Sequence, residues 1–121
     1  MKGLPLKIDL HVHTCYSYDA TTTPNELAAY ARKRGLDGVA ITDHDTLKGA
    51  IQIARRLDSL LVIPGMEVSA RGGHVLALNP ATPIPKGLSL KETVQRIHEA
   101  GGIAIVAHPT SLPKVFPTRL R

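Results

Sequence analysis

The sequence predicts an α/β fold, with largely parallel strands and helices packed outside them. Two observations lead there. Strand-like and helix-like segments alternate along the chain, the order that builds crossover units. Some strands, "GIAIVA" above all, are almost wholly apolar, as in a sheet covered on both faces. The core is aliphatic by necessity: 43% of the 121 residues are hydrophobic, with three Tyr, one Phe and no Trp.

"KIDLHVH" opens the chain as a strand, with Ile8, Leu10 and Val12 on one face and Asp9, His11 and His13 on the other. "TPNELAAYARKRG" reads as a helix. Thr23 is its N-cap, Pro24 takes the first helical position, Glu26 completes a capping box and Gly35 closes it. "DGVAITDH" is the second strand. "TLKGAIQIARRL" is the second helix, with Gly49 as a weak point inside it. "SLLVIPGMEVSA" is a third strand, interrupted by a kink at Pro64-Gly65. "GGHVLALN" is a fourth, after a tight Gly72-Gly73 turn. "NPATPIPKG" is a proline-rich surface connector. "SLKETVQRIHEAGG" is the third helix, capped by Ser89, boxed by Glu92 and ended by Gly101. "GIAIVAHP" is the fifth strand, and "TSLPKVFPTRLR" is a tail without a clear element.

Composition narrows the function. A single cysteine, Cys15, excludes an internal disulfide and a thiolate-cluster zinc site. No apolar run is long enough to span a bilayer, and the N-terminus does not read as a secretory signal. The expectation is a cytoplasmic protein without a membrane partner. The net charge of +5 favours an anionic partner. The basic residues are spread out, however, and many sit at helix ends, where the dipole alone favours them. Base-stacking aromatics are scarce, so no dedicated nucleic-acid patch is expected. Nucleic acid stays open as a substrate, and so does the oligomeric state.

Five of the six histidines gather at strand ends or in the turns beside them. His11 and His13 end the first strand, His44 the second and His108 the fifth, while His74 opens the fourth. Glu67 follows Pro64-Gly65 in the third. The carboxyl ends of parallel strands are where α/β folds build their sites. Imidazole and carboxylate are usual ligands of zinc, manganese and iron. Alternate strand residues point the same way, about 6.6 Å apart at roughly 3.3 Å per residue, so the rings of His11 and His13 could grip a single ion as a pincer.

Each residue also has a plainer reading. His74 alone would be a hydrogen-bonded core histidine, His108 a turn residue beside Pro109, and His98 a surface residue of the third helix. Asp9 faces with the pincer but lies deeper, which suits support of a ligand rather than ligation. Of Asp43 and Asp45, one could orient the His44 ring and the other cap the next helix. Together, the ordered set HxH, TDHD, Glu67, GGH and AHP is hard to explain as separate accidents.

That set resembles the PHP family, named for its polymerase and histidinol phosphatase domains. Four stretches carry the resemblance: "DLHVHTCYSYDA", "GLDGVAITDHDT", "VIPGMEVSARGGHVLAL" and "GGIAIVAHP". Within the family the chain looks most like the small stand-alone phosphoesterases. The resemblance implies a distorted seven-stranded (β/α) barrel holding up to three divalent ions (Zn, Mn or Fe) at the strand ends. It implies a first ion on His11, His13 and Glu67. Glu67 would bridge to a second ion, held also by His74 and His108. Asp19 and His44 would hold a third; on spacing alone Asp19 is a solvated loop residue. The chain departs from the family in one respect. The late Asp-x-His motif that completes the first and third sites does not occur before Arg121. A full eight-fold barrel takes about 250 residues. The expectation is therefore one PHP domain over residues 1–121, an incomplete barrel truncated at its C-terminal side, with 110–121 as an irregular tail.

The expected activity is hydrolysis of a phosphorylated metabolite or nucleotide by attack of metal-bound hydroxide, with no side-chain nucleophile assigned. Arg71 and Lys48 are candidates for the substrate phosphate. Arg71 reads equally as a solvated turn arginine, and Lys48 as a residue decorating its helix. Two rival readings remain: a catalytically inactive metal-binding or regulatory module, and an amidohydrolase-like metal hydrolase. The TDHD run and the Glu67 to His74 spacing favour the phosphoesterase over the last.

Overall fold

The computed structural model describes residues 5–16 and 22–109. The tail expected at 110–121, and Asp19 with its loop, lie outside the described residues. The elements are β1 (Ile8–Val12), α1 (Pro24–Arg34), β2 (Gly38–His44), α2 (Lys48–Arg56), β3 (Leu61–Ala70), β4 (Gly73–Leu78), α3 (Leu90–Glu99) and β5 (Ile103–Pro109). The five strands lie side by side in chain order, in one sheet curled into half a barrel.

The strands are less uniformly parallel than the sequence suggests. β1, β2 and β3 run parallel, but β4 runs antiparallel to both β3 and β5. The cause is the short connection. Ala70 pairs with Gly73 across Arg71 and Gly72, and Gly72 has φ of 87°. Two residues can only close a hairpin, whereas a parallel neighbour needs a crossover of a dozen or more. β3 also runs unbroken through Pro64-Gly65, where a kink was expected. The Pro64 carbonyl accepts the Asn79 N–H, one residue beyond the end of β4. The missing proline N–H thus falls at the fringe of the ladder, where it costs little.

The helix signals are borne out with one amendment. Thr23 and Glu26 form the full capping box of α1, and Gly35 closes it at φ of 67°. The hydrogen bonds from the Thr23 backbone and side chain hold the Glu26 carboxyl below its ordinary range. At α3, Ser89 accepts from the Glu92 N–H, but its hydroxyl donates to the Glu92 carboxylate at 3.1 Å. At α2 the N-cap residue, Leu47, makes no side-chain cap, and the Thr46 hydroxyl accepts the Lys48 N–H at 3.3 Å.

Strand alternation separates packing from chemistry. Met66, Val68, Val75, Ala77 and Ala104 face Val94 and Ile97 of α3. Val39 and Ile41 face α1 and α2 through Leu27, Ala31, Ala50 and Ile53. Those strand positions point to one face of the sheet. Glu67, His44 and His74 fall in the opposite phase and point to the other.

Gly49, a weak point on helix propensity, is required by packing. A Cβ there would lie 2.4 Å from the Tyr16 ring, and the Tyr16 hydroxyl donates to Gln52 one turn along α2. Gly49→Ala gains about 1 kcal/mol of helix propensity but meets an overpacking cost of about 1–3 kcal/mol. The expected outcome is a lower melting temperature with a displaced Tyr16 ring, visible in NMR spectra. A raised melting temperature would contradict this packing.

Candidate metal centre

Glu67 is the centre of the site. Its side chain is fully buried, and imidazoles from three strands reach it. His11 and His13 each place Nε2 against Oε1, at 2.6 and 2.8 Å. His74 places Nδ1 2.9 Å from Oε2, and His44 Nδ1 lies 3.8 Å from the same oxygen. The rings pack edge to face in sequence: His11 on His13 at 5.0 Å, His13 on His44 at 4.5 Å, and His44 on His74 at 5.5 Å.

The fold explains the convergence. β1, β2 and β3 are parallel, so His13, His44 and Glu67 lie at one end of the sheet. β4 is reversed, so its first residues lie at that same end, and His74 sits opposite Ser69. The hairpin thus accounts for the odd position of His74, at the start of its strand rather than the end. β5 reverses again and brings the backbone of His108 opposite His74; the His108 side chain is not among the described atoms.

The electrostatics suit a cation. Burial pushes the Glu67 carboxyl up. Hydrogen bonds from His11 and His13, and the charges of His44 and His11, more than offset this and hold it below its ordinary range. Two groups of ligand atoms lie within 4.8 Å of one another: His11, His13 and Glu67, and His44, Glu67 and His74. Glu67 belongs to both. Two nitrogens and a carboxylate oxygen per group form a donor set that fits zinc, manganese or iron. Exposure grades across the site, from 33% at His11 and 30% at His74 to 7% at His44. A cleft of about 390 Å³ opens beside His11 and His13, bounded by Asp9, Glu26 and Tyr30.

The other predicted residues fall as follows. Asp9 accepts the His11 backbone N–H and the Tyr30 hydroxyl, both at 3.1 Å, and so supports the pincer from below. Asp43 lies in the opposite strand phase from His44, and its carboxylate takes two hydrogen bonds from Thr14 rather than the His44 ring. Asp45 does not cap α2; it takes two hydrogen bonds from Ser69. Arg71 is 72% exposed and lies 3.9 Å from Glu92, the geometry of a solvated ion pair. Lys48 is exposed at the first turn of α2. His98 is exposed on α3, as the sequence suggests, and Cys15 is exposed in the turn after β1. Sequence reasoning missed Thr14, Ser69 and Tyr16. Thr14 follows the second histidine directly, which was a usable signal; nothing local marked Ser69.

The chain is similar to several known proteins. An uncharacterized protein of Methanocaldococcus jannaschii is 37% identical over 119 residues, which cover 88% of this chain and 69% of that protein. A 5'-3' exoribonuclease of Haemophilus influenzae is 32% identical over 105 residues, covering 82% of this chain and 38% of that one. The crystal structure of a "putative metal-dependent phosphoesterase" from Bifidobacterium adolescentis superposes with a TM-score of 0.52 at 33% identity, over 78% of this chain and 32% of that one. The chain therefore spans between a third and about two thirds of these relatives. The PHP domain family model matches residues 9–105, most of the chain, and the chain belongs to the PHP domain family.

Proposed function

We propose that this chain carries the metal-binding part of a phosphoesterase acting on a small phosphorylated metabolite or a nucleotide. The observation that carries the reading is the shared Glu67, one buried carboxylate gripped by histidines on both sides. In this reading His11, His13 and Glu67 hold one divalent ion, and Glu67 with His74 and His108 a second. His44 and Asp19 take part in a third. Divalent ions held there supply a more acidic water and positive charge for phosphate oxygens. Glu67 sets the spacing of the two groups, because its two oxygens face different histidines. His11 and His74, the most exposed ligands, border the side from which substrate approaches. Asp9 holds the His11 backbone in place.

The relatives named as an exoribonuclease and a phosphoesterase support phosphate-ester chemistry. We further propose that additional strands complete a seven-stranded barrel. In the half-barrel Leu61 and Ile103, on the same face as Glu67, are 48% and 64% exposed. Further strands would cover them.

The test is elemental analysis and a phosphatase screen with manganese or zinc on the intact protein. The expected result is more than one transition-metal ion per chain, with hydrolysis of a phosphorylated small molecule. The pair His11→Ala and His13→Ala should lose about one ion per chain and the activity, while His98→Ala keeps both. Activity that survived the His11 and His13 substitutions would place the active site elsewhere. Metal uptake without hydrolysis of any phosphate ester would leave a binding module.

A further inference from the structure

We infer that Asp43 and Asp45 are positioning residues, each bracing one side of the histidine–glutamate cluster through a hydroxyl-bearing residue on or just beyond a neighbouring strand. The inference rests on the metal-centre reading above. The two aspartates flank His44 at the end of β2, the middle of three parallel strands. Asp43 reaches β1's side: Oδ1 accepts the Thr14 N–H at 2.5 Å and Oδ2 the Thr14 hydroxyl at 2.7 Å. Asp45 reaches β3 with the same grip: Oδ1 accepts the Ser69 N–H and Oδ2 the Ser69 hydroxyl, both at 2.7 Å. One carboxylate thus clamps one residue twice, on each flank of a histidine.

The chemistry explains the residue types. A carboxylate has two oxygens, and a serine or threonine offers a backbone N–H and a side-chain O–H side by side. Hydrogen bonds to a charged acceptor are about twice as strong as neutral ones. Asp43 and Thr14 are both fully buried, so each needs the other. Both oxygens of both aspartates are occupied, and neither residue joins the metal-ligand groups among the described residues.

The clamps sit where the sheet itself gives least control. The β1–β2 register is irregular between Asp9 and Val12, the stretch that carries His11. Thr14, directly after His13, is then tied to β2 by Asp43. On the other flank Asp45 donates its N–H to the Glu67 carbonyl at 2.9 Å and has φ of 52°, where the chain turns out of β2. Its carboxylate holds Ser69, two residues beyond Glu67 and directly opposite His74. Each clamp therefore belongs to one ligand group. Asp43–Thr14 fixes the His11 and His13 side of the cluster, and Asp45–Ser69 fixes the His74 side.

Zinc titration calorimetry on the metal-stripped intact protein tests this. A background carrying both His44→Ala and His74→Ala leaves the first group, and one carrying both His11→Ala and His13→Ala leaves the second. Thr14→Val should weaken the first group's affinity by about tenfold or more and leave the second within about twofold. Ser69→Ala should do the reverse. Thr14→Ser and Ser69→Thr keep both donors and should retain the parent affinity. Equal losses in both groups, tracking a fall in melting temperature, would indicate general destabilisation and overturn the inference. So would unchanged affinities. If Thr14→Val does not fold, Asp43→Asn replaces it, and an unchanged first-group affinity there is equally fatal. A parent protein that takes up no zinc, manganese or iron would instead bring down the metal-centre reading itself, and this inference with it.

Discussion

Glu67→Gln should empty both ligand groups at once. The substitution keeps size and shape but removes the charge that two histidine groups share. Any single histidine substitution spares the other group, so Glu67 stands apart. Transition-state stabilisation by bound ions is worth several kcal/mol. At 1.36 kcal/mol per decade, phosphatase activity should fall by about a thousandfold or more. Elemental analysis should find about two ions per chain fewer than in the parent protein. A Glu67→Gln protein that carried as many ions as the parent would show that the carboxylate does not hold metal for both groups. The comparison with the His11 and His13 pair is the sharper readout, since that pair should lose one ion and Glu67→Gln both.

Gly65→Ala should be the most damaging small substitution in the sheet. A Cβ at Gly65 would meet the Ala77 carbonyl oxygen at 2.6 Å and the Ile41 carbonyl oxygen at 3.2 Å. Both neighbours are backbone atoms of paired strands, so neither can swing away. Overpacking of this kind costs typically about 1–3 kcal/mol, and backbone obstacles put Gly65 at the upper end. For a chain of this size that is a fall in melting temperature of about 10 °C. Gly65 is two residues before Glu67 on the same strand face, so metal affinity should fall as well. A melting temperature within about 3 °C of the parent would show that β3 is not held as tightly as the structure has it.

These two residues show where the sequence was legible and where it was not. Pro64-Gly65 looked like a kink because proline and glycine punctuate strands when nothing else is known. Only the neighbouring strands reveal that Pro64 lies at a ladder fringe and that Gly65 makes room for two carbonyl groups. Gly49 is the same case on a helix: a local weakness that becomes a seat for Tyr16. Arg71 and Lys48 could be proposed from their places in the chain, but side-chain reach is a property of the folded surface. There Arg71 meets Glu92.

The sequence by itself determined the order and type of the elements, the cap of α1 and the kinds of side chain that meet at Glu67. Those depend on local periods of two and 3.6 residues and on donor chemistry, and both are written in adjacent residues. His11 and His13 share a face for that reason alone. Tertiary structure decided the rest. That His74 joins the others depends on the reversal of β4 by a two-residue turn. That Glu67 serves both groups depends on His11 and His13, 56 and 54 residues away in sequence, meeting the same carboxylate as His74. The grip of Asp43 on Thr14, 29 residues away, and of Asp45 on Ser69, 24 away, depends on which strand lies on which side of β2. Hydrogen bonds across a sheet are set by strand order and register, and no local pattern encodes either one.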